Sequence, residues 1–295
     1  MDDKTTETNP FITIMVEYSD IELSQLHKEL LSILKEILRI CDLLGIQCFV
    51  TGGTAIGARY FQGFVKWDDD IDLGMRRDDY EKFIKMAPSV VSDGYFIQCF
   101  NTEPNTPFYF AKVRKDGTLF VQEEYKDVEM HQGIFVDIFP FDNIPDNPFL
   151  ARIHTRLVQF FKGSFLRRQL KKAIVEGQKS LPPCLSAALA TIRFSMLKMI
   201  PKSFFYWRLK KVSSFFNHKN CKYVDVVVSG VDKMTSDSIH HLQPIHFEGF
   251  DIFAPGDIDG YLKNHYPDLK SPDMLESLWI SHAPYRLSFS KKTEE

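Results

Sequence analysis

The chain has 295 residues, 44% of them apolar, enough for the core of one large domain and too many for a disordered or low-complexity chain. Its net charge of −3 averages unequal parts: residues 151–219 carry 15 Lys/Arg against one acidic residue, Glu176, a local +14, and the rest sums to −17. Five widely spaced cysteines with no CxxC pair exclude a disulfide framework and favour a reducing compartment.

Taken in order, residues 1–10 are polar and acidic, so they do not read as a secretory leader. Ser19-Asp20-Ile21-Glu22 is a capping box, followed by a helical apolar pattern from Leu26 to Leu44 that Gly45 ends. A strand over 46–50 leads to the Gly-rich turn Thr51-Gly52-Gly53-Thr54, and a brief helix covers 54–60. The next predicted strand begins at Trp67. Residues 77–86 form a polar-faced helix stopped by Pro88, and 95–100 a strand. Strands over 108–113 and 118–122 flank Lys115-Asp116-Gly117, a hairpin turn. A strand over 134–139 holds one acidic residue, Asp137. Pro145-Asp146-Asn147-Pro148 marks a boundary. Three helical stretches then run to about residue 217, broken at Pro182-Pro183 and Pro201. Strands over 223–228 and 247–253 and a helix over 258–265 follow. No apolar run reaches 18 residues, the length expected of a membrane-crossing helix. The pattern predicts an α+β chain: a mixed sheet flanked by helices, with a basic helical insertion. Its expected parts are a core over 19–145, the basic segment over 146–220, and a C-terminal α/β part over 221–287 that completes the domain.

Trp67-Asp68-Asp69-Asp70-Ile71-Asp72-Leu73-Gly74 carries the most chemistry. As a strand it would put Asp68, Asp70 and Asp72 on one face and Ile71 and Leu73 on the other. Like charges so close need a cation, and hard oxygen ligands suit Mg²⁺ or Mn²⁺. Gly52 and Gly53 leave the backbone free to approach a phosphate. Asp137 is a lone carboxylate in an apolar strand, costly to bury unless it faces the same cleft. Metal-assisted phosphoryl transfer uses such a set. A calcium loop shares the Asp-x-Asp-x-Asp spacing, but its sixth position wants Gly and here holds Leu73. A solvated acidic turn is the plainest alternative.

These residues resemble the LicD family. The similarity rests on Gly53-Thr54-Ala55-Ile56-Gly57-Ala58-Arg59, Gly63-Phe64, the stretch from Trp67 to Met75, and Arg77-Asp78-Asp79-Tyr80. It extends to Lys112-Val113-Arg114 ahead of Gly117-Thr118, and to Val136-Asp137-Ile138-Phe139-Pro140-Phe141-Asp142. It is strong from about residue 34 to 142, weaker over 247–282, and absent between. Where the family tends to have Tyr-Gly-Asp, this chain has Tyr266-Pro267-Asp268. The family includes the lipopolysaccharide and teichoic-acid phosphocholine transferases and resembles the fukutin-related ribitol-phosphate transferases. The resemblance implies a nucleotidyltransferase-like fold and transfer of a phospho-alcohol from a CDP-linked donor to a sugar hydroxyl of a glycan or glycolipid, with CMP leaving. It implies that Asp70 and Asp72 hold Mg²⁺, with Asp137 a third ligand or the general base. Gly52, Gly53 and Thr54 would bind the donor pyrophosphate. Lys112 and Arg114 would neutralise phosphate, or form an exposed hairpin face. Arg59 would serve packing or a salt bridge, Asp68 and Asp69 a supporting or solvated role, and Trp67 and Phe64 the core or pocket wall. His282 stands near a C-terminal family His, and a structural role is expected of it. A nucleotidyltransferase that releases pyrophosphate would use the same carboxylates. A calcium-binding or catalytically silent membrane adaptor is the alternative from another class.

In the basic segment Phe160, Phe161, Phe165, Leu166 and Leu170 alternate with Arg167, Arg168, Lys171 and Lys172. Phe204, Phe205, Tyr206 and Trp207 stand beside Arg208, Lys210 and Lys211. Such stretches suit contact of 151–219 with an anionic membrane surface. A helical subdomain with a solvated basic face fits the same pattern. No nucleic-acid motif accompanies the charge, and no nucleic-acid partner is expected. The expected location is the cytoplasm, peripheral on the inner face of the cell membrane.

Overall fold

A computed structural model describes residues 18–168, 195, 199–269 and 284–290. Helix α1 (Asp20–Leu44) starts as the sequence dictates: the Ser19 hydroxyl accepts the Glu22 N–H, and the Glu22 carboxylate accepts the Ser19 N–H. Gly45 ends it in the left-handed region at φ 61°. Its apolar stripe, including Leu26, Leu30, Ile33 and Ile37, is buried in the main core.

The central sheet has the order β1-β2-β6-β4-β3, formed by β1 (Phe49–Val50), β2 (Asp72–Arg76), β3 (Tyr95–Gln98), β4 (Ala111–Lys115) and β6 (Phe135–Ile144). Strands β2 and β6 are parallel, and the other neighbours run antiparallel. Helix α2 (Gly52–Phe61) connects β1 to the loop before β2, and α3 (Arg77–Met86) leaves directly from β2. The far part of β6 pairs with β7 (Tyr223–Asp225), which pairs with β8 (Met234–Thr235). The fold is α+β, a mixed sheet flanked by helices, as expected.

Helices α4 (Pro148–Arg167) and α5 (Lys202–Ser213) pack against each other. Asn147 caps α4 by accepting the Phe149 and Leu150 N–H groups. A short helix α6 (Ser236–His240), a hairpin of β9 (Gln243–Phe247) and β10 (Phe250–Ala254), and helix α7 (Ile258–His265) complete the C-terminal part. Among the described residues no helix is long and apolar enough to cross a membrane.

Three expectations fail, each for a non-local reason. The acidic strand does not begin at Trp67. Residues 67–71 are turn and loop, and β2 starts at Asp72, because β1 ends at Val50 and offers no ladder further upstream. Strands β4 and β5 (Leu119–Val121) do not pair as a hairpin. Both edges of β4 are taken by β3 and β6, so β5 pairs instead with β11 (Arg286–Ser288). The single strand expected over 247–253 is the β9–β10 hairpin. Glu248 at φ 48° and Gly249 at φ 87° form a tight turn with both residues left-handed. Of the three basic helical stretches, the one around Pro182-Pro183 lies outside the described residues, as do Lys171, Lys172 and His282.

The buried pair Arg77–Asp142 ties α3 to β6. Arg77 donates through Nε and Nη2 at 2.8 and 2.5 Å, and the Asn217 amide also reaches Asp142. In β2, Gly74 leaves room for the Phe49 and Phe141 rings, whose centroids lie 5.1 Å apart. A Cβ at Gly74 would come within 2.5 Å of Phe49 and 2.7 Å of Phe141. Gly74→Ala is therefore expected to destabilise the protein by about 1–3 kcal/mol through overpacking, as read by urea denaturation.

Candidate active site

Strand β1 delivers the chain to Thr51, and α2 begins at once with Gly52 and Gly53. The turn is stitched to the start of β2: the Thr51 N–H donates to the Asp72 carbonyl at 3.1 Å, and the Asp72 N–H donates to Thr54 Oγ1 at 2.9 Å. Gly52 has φ +53°, and a Cβ there would sit 2.7 Å from Asp72 Oδ2. The glycine is thus what lets the helix start lie against the carboxylate. The first N–H groups of a helix lack intrahelical acceptors and favour anions, so this end suits a phosphate.

Register then builds a row across the sheet. Asp72 on β2 faces Asp137 on β6, Asp137 faces Lys112 on β4, and Lys112 faces Gln98 on β3. Lys112 Nζ lies 2.6 and 2.8 Å from the two Asp137 oxygens and 3.5 Å from the Phe135 ring centroid. Burial pulls the Lys112 ammonium down to about 8, against the opposing pull of Asp137. Arg114 shares the face. Its Nε donates to Gln98 Oε1 and its Nη1 to the Gly133 carbonyl, each at 2.6 Å. Burial lowers its guanidinium to about 10. Both cations are buried, at 2% and 1% exposure, so the exposed-hairpin alternative fails.

Three consecutive carboxylates precede the row. Asp68, Asp69 and Asp70 each present an oxygen within 4.8 Å of the others. Both Asp68 oxygens are buried with no hydrogen-bond donor among the described residues. Burial, then Asp70, Asp72 and Asp69, raise the Asp68 carboxyl well above its usual range. Burial, then Asp70, Asp137 and Asp232, do the same to Asp72. Asp69 accepts the Tyr18 hydroxyl at 2.7 Å. His27 donates to the Asp68 carbonyl at 2.7 Å and stacks on Phe64, with centroids 3.8 Å apart. Trp67 packs against the core. The donor set is all hard oxygen, and both Asp68 oxygens lack a donor among the described residues, which fits a divalent ion such as Mg²⁺ or Mn²⁺.

The C-terminal part closes the site with residues that sequence reasoning missed. The Gly52 N–H donates to the Tyr261 hydroxyl at 2.8 Å, and that hydroxyl donates to Asp232 Oδ1 at 2.8 Å. His265 Nδ1 lies 3.1 Å from the same oxygen. Asp225 accepts the Asp232 N–H at 2.9 Å. Burial and then Asp232 push the Asp225 carboxyl up to about 7. Burial raises the Tyr266 phenol, and the charges of Asp72, Asp232, Asp68 and Asp70 add to the rise. No local pattern marks Asp232 or Tyr261. Tyr266 did carry a signal, the Tyr-Pro-Asp stretch. Arg59 forms an exposed salt bridge with Asp259 at 2.8 Å.

Residues 45–171 match the family described as "LicD/FKTN/FKRP, nucleotidyltransferase domain". The chain is 27% identical over 248 residues to the "Lipopolysaccharide cholinephosphotransferase LicD" of Haemophilus influenzae, covering 81% of this chain and 87% of that protein. It is 25% identical over 118 residues to an uncharacterized protein of Rickettsia typhi, covering 40% of this chain and 36% of that one. Tyr261, Asp232 and Asp225 lie beyond the matched LicD segment, yet hold its helix start.

Two outcomes follow. Lys112→Met leaves the Asp137 charge buried without its cation and is expected to cost about 3–5 kcal/mol in chemical denaturation. The double variant Lys112→Met/Asp137→Leu should recover most of that loss. The second concerns pH. Asp225 is raised from 3.8 to about 7, so the folded state binds the extra proton. Its contribution to stability is then full below about pH 4, falls as pH rises to about 7, and is lost above that. Asp225→Asn keeps the acceptor for the Asp232 N–H and should make melting temperatures fall less from pH 4 to 8 than in the wild type.

Proposed function

We propose that this chain is a Mg²⁺-dependent transferase. It moves a phospho-alcohol, phosphocholine-like, from a CDP-linked donor to a sugar hydroxyl of a cell-surface glycan or glycolipid, releasing CMP. The observation that carries the reading is the Asp72–Asp137–Lys112 row set against the α2 start inside the segment that matches the LicD family. The likeness to a lipopolysaccharide cholinephosphotransferase supports the choice of phospho-alcohol and of a glycan acceptor.

In this reading Gly52, Gly53 and Thr54 receive the donor pyrophosphate on the α2 N-terminus. Asp70 and Asp72 hold the metal ion, with Asp137 as the third carboxylate and Asp68 adding its buried charge. When bound, the ion supplies charge neutralisation at the phosphates and a template for donor and acceptor. The acceptor oxygen forms the new bond to the phosphorus that bears the alcohol, and the bond from that phosphorus to the CMP oxygen breaks. Asp137, held in place by Lys112, takes the hydroxyl proton. Lys112 and Arg114 keep the floor of the site positive. Tyr261, fixed by Asp232, orients the helix start. A water-soluble donor and a lipid-borne acceptor meet at the inner face of the cell membrane, where we place the protein.

The family description, a nucleotidyltransferase domain, favours one second reading: nucleotide transfer with release of pyrophosphate. The products separate the two. Purified protein with Mg²⁺, CDP-alcohols or CTP, and glycolipid acceptor is expected to release CMP from a CDP-alcohol. Asp70→Asn/Asp72→Asn and metal chelation should each lower that release by roughly 10²–10³-fold or more. Pyrophosphate from CTP would establish the second reading, and neither product with intact acceptor would reject both.

A further inference from the structure

Helices α4 and α5 pack antiparallel. His154 Nε2 donates to the Val212 carbonyl at 2.8 Å, Val158 meets Leu209, and Phe165 meets Phe205. This inner face is fixed to the rest of the protein. Phe100 packs with Phe165 and Tyr206, and Lys162 Nζ donates to the Val228 carbonyl at 3.1 Å. The outer face is different. Along α4, Phe149, Leu157 and Phe160 stand at helical spacing and are 68%, 46% and 55% exposed. Along α5 and just beyond it, Phe204 and Phe215 are 43% and 56% exposed. Between the two helices lies an apolar groove of about 480 Å³. A contiguous patch of this kind on a folded protein marks an interaction surface.

The charge around the patch decides what it fits. Arg152, Arg156, Arg208 and Lys211 are exposed at its margins. None has a carboxylate partner among the described residues. Elsewhere the exposed cations Arg39, Arg59 and Lys126 do find carboxylates. From Asn147 to Asn220 the sequence holds one acidic residue, Glu176. Helices α4 and α5 themselves bring cations and no carboxylate to the patch. Aromatic side chains beside unpaired Arg and Lys suit the boundary between lipid headgroups and acyl chains, where the rings enter and the cations stay at the phosphates.

We infer that the outer face of α4 and α5 is a docking surface for an anionic lipid bilayer, with Phe149, Phe160, Phe204 and Phe215 entering the interface and Arg152, Arg156, Arg208 and Lys211 contacting lipid phosphates. The surface acts with or without donor and acceptor. It holds the protein flat on the membrane by α4 and α5, the side away from the sheet.

Sedimentation of the full chain with phosphatidylcholine vesicles, with and without phosphatidylglycerol, tests this. Binding is expected only with phosphatidylglycerol, and it should weaken as salt rises. Arg152→Glu/Arg156→Glu/Arg208→Glu/Lys211→Glu should lower it roughly ten-fold or more, since each cation near an anionic surface contributes. All four positions are exposed, and an unchanged melting temperature checks that the fold survives. Phe160→Trp supplies a second readout: the added emission should shift to the blue with phosphatidylglycerol vesicles, and an unshifted emission would overturn the inference. No sedimentation of the wild type, or sedimentation that survives the four reversals, would overturn the inference. So would a stable dimer that Phe160→Asp dissociates, which would assign the face to a second copy of the chain. Protection of the groove by residues 169–198, seen as vesicle binding gained only on cleaving that segment, would overturn it as well.

Discussion

The ion pair between Lys112 and Asp137 sits in the middle of a row of four polar side chains that crosses four strands. It fixes more than a local charge. Asp137 neighbours Asp72, and Asp72 feels Asp70 and Asp232 as well, so this end of the sheet gathers negative charge from several segments. The buried ammonium lets one of those carboxylates stay in an apolar strand. It also sets register. A slip of β4 by one residue would turn Lys112 and Arg114 to the opposite face and bring Val113 or Ala111 against Asp137. Both parts of the penalty, an unpaired carboxylate and two stranded cations, favour the observed pairing.

Against that floor, the upper part of the site is assembled from pieces far apart in the chain. The loop before β2 brings three carboxylates, the α2 start brings a helix end, and α7 brings Tyr261 to the first N–H of that helix. A separation of 209 residues between Gly52 and Tyr261 means that this contact forms only when the C-terminal part docks. The charges at the two ends of the molecule differ in kind. At the site they are crowded and buried, some paired as Asp137 is with Lys112 and some, as in Asp68, without a donor among the described residues. On the outer face of α4 and α5 they are of one sign and face solvent.

What was legible in the sequence was what local chemistry decides. The capping box and left-handed glycine bound α1, and apolar spacing found α3 and α7. The same local signals drew attention to Gly52, Gly53, Asp70 and Asp72, and the cost of burying a lone carboxylate singled out Asp137. What stayed hidden depends on neighbours. The start of β2 is set by the length of β1. The partner of β5 is set by the filling of both β4 edges. The same filling buries Lys112 and Arg114, which the turn sequence allowed to be exposed. Asp68 looked peripheral in the strand picture and is buried, like Asp69, once that stretch is a turn. Asp232 and Tyr261 carry no pattern at all, because their meaning is a distance in space.

The topology around β6 has a consequence for how such a chain can change over time. Ile144 and Tyr223 face each other across β6 and β7. The described residues between them leave the sheet and return to it at one spot, as the loop of a hairpin does. An insertion hung on a closed pair of strands can lengthen, shorten or be exchanged while the ladder on either side keeps its register, since closing a longer loop adds little entropy cost. The constraint that remains is the set of apolar residues the helices cover, Phe100, Val227 and Val228. Relatives could therefore keep the sheet and its acidic end and differ freely in this appendage, provided that something covers those three side chains.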